Sequence, residues 1–201
     1  MNRQRFFDHH SATWDEESHP DLDARLRRVV ADASLEAGHR VLDLGAGAGV
    51  LIPHLLHVVK LGGRLIAVDL SEPMLRRAQS KHPTANLLLV QADAHHLPLP
   101  DNALDRVICN AALPHFENHA ESLREMARVL RPGALLIISH PIGRAAVNAL
   151  HRRAGGPVSM DRVPPPDAMA GLLCDAGLSS ITVTDEPDFY LARARKPDPQ
   201  A

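Results

Sequence analysis

The sequence predicts an α/β fold, a largely parallel sheet with helices on both faces. Three observations carry that prediction. The apolar run Val41-Leu42-Asp43-Leu44 leads directly into Gly45-Ala46-Gly47-Ala48-Gly49, a strand entering a glycine turn that opens a helix. Short apolar runs then alternate with apolar stripes spaced three and four apart as far as Ser139. That is the pattern of parallel strands joined by crossover helices. Two acids, Asp69 and Asp93, close the next two apolar runs, where strand ends gather ligand-binding groups.

The elements follow in order. Residues 1–38 are charged and amphipathic: Phe6-Phe7 and Trp14 precede Leu22, Leu26, Val29 and Val30, whose spacing predicts a helix, and Gly38 closes the region. Residues 40–44 form the first strand. Leu51, Ile52, Leu55, Leu56 and Val59 give a helical stripe with Pro53 in its first turn. Gly62-Gly63 turns the chain into a second strand, 64–68, and Ser71 caps a helix carrying Met74, Leu75 and Ala78. Strands three and four are expected at 86–91 and 104–110. Asn118-His119-Ala120-Glu121 resembles a capping box, opening a helix with Leu123, Met126, Ala127 and Leu130 inward, and Arg131-Pro132-Gly133 ends it. A fifth strand covers 134–139. The stretch 141–166 breaks the alternation and reads as a partly helical insertion, of the length that is usually functional. A helix over 167–176 and a terminal hairpin, 180–184 and 188–195, complete the chain.

Composition excludes several classes. The 201 residues suit one domain with one core, and 45% apolar with 23% charged residues is ordinary for a globular protein. A net charge of -2 and only 3% aromatic residues argue against a nucleic-acid partner. No apolar segment reaches membrane-spanning length and no signal-peptide core follows Met1, so a cytoplasmic protein with no membrane partner is expected. Cys109 and Cys174 both sit in apolar patterns and read as buried thiols.

A glycine loop, a first acid and a second acid, each at a strand end, resemble the class I S-adenosylmethionine-dependent methyltransferases, over roughly residues 6–195. The resemblance implies a Rossmann-like seven-stranded sheet, five parallel strands followed by an antiparallel terminal hairpin. It also implies a helical N-terminal lid (1–38) on a donor-binding domain (39–201) with an insertion at about 141–166. S-adenosyl-L-methionine is then the methyl donor. Asp43, Gly45, Ala46, Gly47 and Gly49 correspond to the loop around its methionine part, with Asp43 near the ammonium. Asp69 matches the ribose-binding acid, with Leu70 beside the adenine and Met74 a further contact. Asp93 and Ala94 match the pair at the adenine edge, and Asn110 and Ala111 the fourth-strand motif. Carboxylates suit an ammonium, a diol and an exocyclic amine because all three are donors. The rival reading is a dinucleotide-binding protein, but Val50 stands where that fingerprint wants a small residue.

The acceptor is expected to be a small molecule. The segment from Phe6 to Asp15 is similar to the lid of small-molecule and quinone-biosynthetic methyltransferases, which puts Phe7 and Trp14 near the acceptor. Reacting groups collect beyond the carboxyl ends of strands, which selects His115 and His140 as proton acceptors or orienters. Arg144, Asn148 and His151 in the insertion share one polar stripe and are candidate acceptor-binding residues. The alternative is a metal held by His115, His119, His140 and His151. The helix start at Asn118 leaves His115 outside the regular turn, so no metal is expected. A quinone-type C-methyltransferase and a non-catalytic donor-binding sensor are the competing functions. The oligomeric expectation is a monomer or homodimer.

Overall fold

The computed structural model describes residues 3–11 and 21–198. Seven strands form one sheet: β1 (Arg40–Leu44), β2 (Arg64–Asp69), β3 (Leu87–Gln91), β4 (Leu104–Asn110), β5 (Leu130–His140), β6 (Ser179–Glu186) and β7 (Phe189–Arg195). Their spatial order is β3-β2-β1-β4-β5-β7-β6. The first five run parallel, and β7 lies antiparallel to both β5 and β6. The chain winds outward one way from β1 to β3 and the other way from β4 to β5. The order therefore reverses between β1 and β4, where open α/β sheets form a ligand crevice.

Alternating strand residues feed two cores, one on each face. Val41, Leu65, Ile108 and Ile137 pack with α2 (Leu22–Asp32) and α3 (Ile52–Val59), and Ala78 of α4 (Glu72–Lys81) joins them. Leu42, Val68, Val107, Cys109, Leu136 and Ile138 pack on the other face with Leu123 and Met126 of α5 (His119–Val129). Met169 and Leu173 of α7 (Pro166–Asp175) complete that core. Val29 is fully buried, so α2 belongs to the wall of the sheet. Of the N-terminal region, α1 (Arg3–His10) lies over the C-terminal ends of the strands. Trp14 lies outside the described residues.

The helix starts follow the capping chemistry. Ser71 Oγ accepts from the Met74 N–H at 3.4 Å, and Asn118 Oδ1 from the Glu121 N–H at 3.1 Å. The reciprocal arm of the box differs: the Asn118 N–H donates to His95 Nε2 at 3.1 Å. Leu130, expected inside a helix, caps α5 and already pairs with Leu104, so the fifth strand begins earlier than the apolar run does. The insertion contains α6 (Arg144–Ala154) and a short 3-10 turn, Gly156–Val158. Cys109 is buried, but Cys174 is exposed, which corrects the expectation of two buried thiols. The buried face of α7 is Met169 and Leu173, four apart, and Cys174 falls off that face. No helix among the described residues is long and apolar enough to cross a membrane.

Candidate active site

A cavity of about 420 Å3 opens at the reversal point, floored by Asp43 to Ala48 and walled by Asp69, Asp93 and Asn110. Phe7 of α1 and the His115-Phe116 pair close its other side. Backbone geometry shapes the floor. Gly45 has φ +74°, and a Cβ there would collide with Ala112 Cβ. Its N–H and that of Ala46 both donate to the Val68 carbonyl, at 2.8 and 3.0 Å, fixing the loop against β2. Gly47 has φ +53° with open space where a Cβ would stand, so the cavity reaches its main chain.

Three carboxylates face this floor in different states. Asp43 is buried, its Oδ2 has no hydrogen-bond partner, and burial together with the nearby Asp69 charge pushes its carboxyl up to about 7. Asp69 accepts from the Gly47 N–H at 2.8 Å and the Ser71 N–H at 2.9 Å. Burial still holds its carboxyl above the usual range, those backbone bonds opposing it. For Asp93, burial acts upward, but the His95 backbone and ring N–H groups outweigh it and hold the carboxyl low. The His95 tautomer is set from both sides. Nε2 accepts from Asn118, so Nδ1 carries the proton given to Asp93 at 2.5 Å.

A family model described as a methyltransferase domain matches residues 42–138, from β1 through β5. The ubiquinone/menaquinone biosynthesis C-methyltransferase UbiE of Pseudomonas fluorescens (strain Pf0-1) is 36% identical over 116 residues, 56% of this chain and 45% of that protein. The chain thus spans about half the length of the curated relatives it matches at that identity. The UbiE of Yersinia pestis (strain Pestoides F) is 29% identical over 186 residues, 79% of this chain and 74% of that one. Among solved structures, an S-adenosylmethionine-dependent methyltransferase from Aquifex aeolicus superposes with a TM-score of 0.74 at 24% identity, covering 92% and 98% of the two chains. A chain of the complex between the Haloferax volcanii Trm112 methyltransferase activator and a methyltransferase gives 0.77 at 21% identity, covering 96% and 98%. Residues 42–138 thus match a methyltransferase domain, and the chain shares the fold of S-adenosylmethionine-dependent methyltransferases.

The fold is the expected seven-stranded one, and the residues fit the donor that the resemblance implies. A buried carboxylate oxygen without a partner suits an ammonium, and the floor at Gly47 leaves room against the backbone. Of the expected donor-site residues, Asp43, Gly45, Ala46, Gly47, Asp69, Leu70, Met74, Asp93, Ala94, Asn110 and Ala111 all line the cavity. Gly49 does not. A Cβ there would meet Ile52 Cδ1 at 2.9 Å and Ala78 Cβ at 3.0 Å, so this glycine permits α4 to pack.

The candidates for chemistry separate. Phe7 and His115 line the cavity, the rings 5.1 Å apart edge to face. His140 does not line it. At the end of β5, in register with Tyr190, it is buried with Nε2 unpartnered. Burial first, then His115 and His151, lowers its imidazole to about 3. The expectation that His140 accepts a proton from an acceptor is therefore corrected. Arg144 is likewise corrected: its Nε donates to Asp185 Oδ2 at 2.6 Å, tying α6 to β6. Asn148 Oδ1 accepts from the Val163 N–H at 2.8 Å and clamps the loop before α7. His151 is buried behind His115, ring centroids 4.8 Å apart, outside the cavity lining. Among the described residues, no three His, Cys, Asp or Glu side chains gather as a metal-ligand set. Reasoning from sequence missed Arg3, Gln4, Phe116 and Glu117 in the cavity wall. It also missed Asp161, whose carboxylate touches His115; no spacing rule links residues so far apart.

Proposed function

We propose that this protein transfers the methyl group of S-adenosylmethionine to a small molecule seated between Phe7, His115 and Phe116. The observation that carries the reading is a cavity in which a carboxylate-ringed glycine floor meets an imidazole wall. The bound donor supplies a methyl group on a sulfonium, with a thioether as leaving group. Asp43 would hold the ammonium, Asp69 the ribose hydroxyls, and Asp93, oriented by His95, the adenine edge. Met74 and Leu70 provide apolar contact. His115 would take the proton that the acceptor atom loses as its bond to the methyl carbon forms, and pass it to solvent. α1 excludes water from above.

A cavity of about 420 Å3 stands near the lower end of the range for ligand sites, roughly 300–1,000 Å3. Once the donor is seated, that supports a small acceptor. Likeness to proteins named as ubiquinone/menaquinone biosynthesis C-methyltransferases supports a second reading, a quinol-type ring carbon as the methylated atom. The test is production of S-adenosylhomocysteine with a panel of thiols, phenols, quinols and metalloid anions. With a productive acceptor, His115→Gln should lower kcat by about 10²–10⁴ and leave donor affinity unchanged. No turnover with any acceptor class, despite tight donor binding, would favour a sensor. Binding of NAD in place of S-adenosylhomocysteine would end the donor assignment.

A further inference from the structure

His115 is held by a residue the reaction scheme above does not use. Its Nδ1 lies 2.7 Å from Asp161 Oδ2, and Arg3 Nη1 reaches the same oxygen at 2.5 Å. The Asp161 side chain is 2% exposed. Burial alone would raise its carboxyl, but the hydrogen bonds from His115 and Arg3 outweigh it and hold the group below the usual carboxylate range. An ionised oxygen at that place only accepts, so it fixes the ring proton on Nδ1 and leaves the Nε2 lone pair available. Nε2 has no hydrogen-bond partner among the described residues, and the ring lines the cavity.

Asp161 is itself immobilised. Its N–H donates to the Val158 carbonyl at 3.0 Å. Its own carbonyl accepts from Arg162 Nη1 at 2.7 Å and from His151 Nδ1 at 3.1 Å. The His151 ring then backs the His115 ring. Arg3, by contrast, arrives on α1, the helix that also brings Phe7 against His115. α1 is fastened at its far end to the donor side, where Ser71 Oγ donates to Asp8 Oδ1 at 2.6 Å while the Ser71 N–H holds Asp69.

We infer that Asp161 is the positioning residue for His115, and that Arg3 makes this positioning conditional on the docking of α1 over the cavity. The inference deepens the proposed function and rests on its reading of His115 as proton acceptor. With α1 docked, Arg3 and His115 share one carboxylate oxygen, and the carboxylate is not free to rotate away from the ring. With α1 displaced, Asp161 keeps only His115, and the Phe7 edge that packs the ring is withdrawn. Orientation of the base and closure over the donor become one event.

The test uses nitrogen-resolved imidazole spectra of the full chain saturated with S-adenosylhomocysteine, with His115 assigned by its loss in His115→Gln. The expected wild-type signal is a protonated Nδ1 and a bare Nε2. Asp161→Leu, similar in volume but without an acceptor, should populate both tautomers while S-adenosylhomocysteine affinity, the check on folding, stays within threefold. Arg3→Gln should speed amide exchange across residues 3–10 about tenfold, the loss of one charge-assisted bond, and broaden the His115 signals. A wild-type ring protonated on Nε2, or an Asp161→Leu protein that keeps the Nδ1 proton, overturns the positioning. Unchanged exchange in Arg3→Gln overturns its dependence on α1. Failure of the proposed function reads differently: His115→Gln would retain full turnover while the tautomer result stood.

Discussion

Asp43 is under electrostatic tension, because its buried carboxyl lies near the Asp69 carboxylate and the Cys109 thiol. Its carboxyl, pushed up to about 7, is half protonated near neutral pH, whereas holding an ammonium requires the ionised form. On the proposed role of Asp43, donor binding below that value expels a proton. Affinity for S-adenosylhomocysteine should fall about tenfold per pH unit below 7, about 1.4 kcal/mol each, and level off above it. Calorimetry in buffers of different ionisation enthalpy counts the released proton. Asp43→Asn should bind more weakly at high pH and lose the slope, and an unchanged slope would place the proton elsewhere. The glycines make a second contrast at this scale. Gly45→Ala drives a Cβ into Ala112 at positive φ, and should lower ligand-free stability by about 1–3 kcal/mol. Gly47→Ala meets open space, so thermal unfolding should show a smaller loss and calorimetry a larger loss in donor affinity, since its Cβ would occupy the cavity.

Among the elements, α1 is the one whose stability comes almost wholly from what it touches. Eight residues are too few for a helix to persist in water, and it is pinned by Arg3 to Asp161 and by Asp8 to Ser71. Asp8→Ala should free that end of α1 and expose amides 3–10 to exchange several-fold faster, about 1 kcal/mol for one hydrogen bond. The urea midpoint of the whole protein should stay within experimental scatter. A global loss of stability would mean α1 belongs to the cooperative core. This division also explains what the sequence revealed. β1, the glycine turn, β2 and α4 were legible because local chemistry decides them: apolar runs, positive-φ glycines and the Ser71 cap. Gly49 was less legible, because a packing glycine and a ligand-facing glycine look alike until α4 is placed against it. Arg144, Asn148 and His151 do follow helical spacing, yet the polar stripe turns to Asp185, Val163 and Asp161, partners that lie outside α6. Asp161 itself sits in an irregular stretch, 46 residues from His115, and carries no periodic signal.

Across the whole molecule, the sheet assembles its candidate site at one end by burying ionisable groups there, and the buried histidines make the fold sensitive to acid. His140 ends β5, faces His115 and His151, and stays neutral until its imidazole value of about 3. In the unfolded chain the same ring takes up a proton below its ordinary value of 6.5. The folded value is depressed, so the unfolded state binds more protons between those limits, and stability is full above the upper one. It is lost as pH falls, at about 1.4 kcal/mol per unit for this one ring. His39, His54, His82, His119 and His151 are also lowered, burial leading in each, and add slope of the same sign. Asp161 acts in a separate window. Its carboxyl lies below the ordinary 3.8, so its contribution persists above that value and disappears as pH drops through the folded one. Urea unfolding at a series of pH values should therefore show stability declining from about 6.5 downward, the six lowered histidines outweighing the opposite slope of Asp43 and Asp69, whose raised carboxyls take up protons first in the folded state. His140→Asn removes one of the rings responsible, and its decline should be shallower by close to one proton's worth of slope. A variant with the wild-type slope would show that the imidazole at the end of β5 is already protonated in the folded protein, and that the cluster behind His115 carries charge.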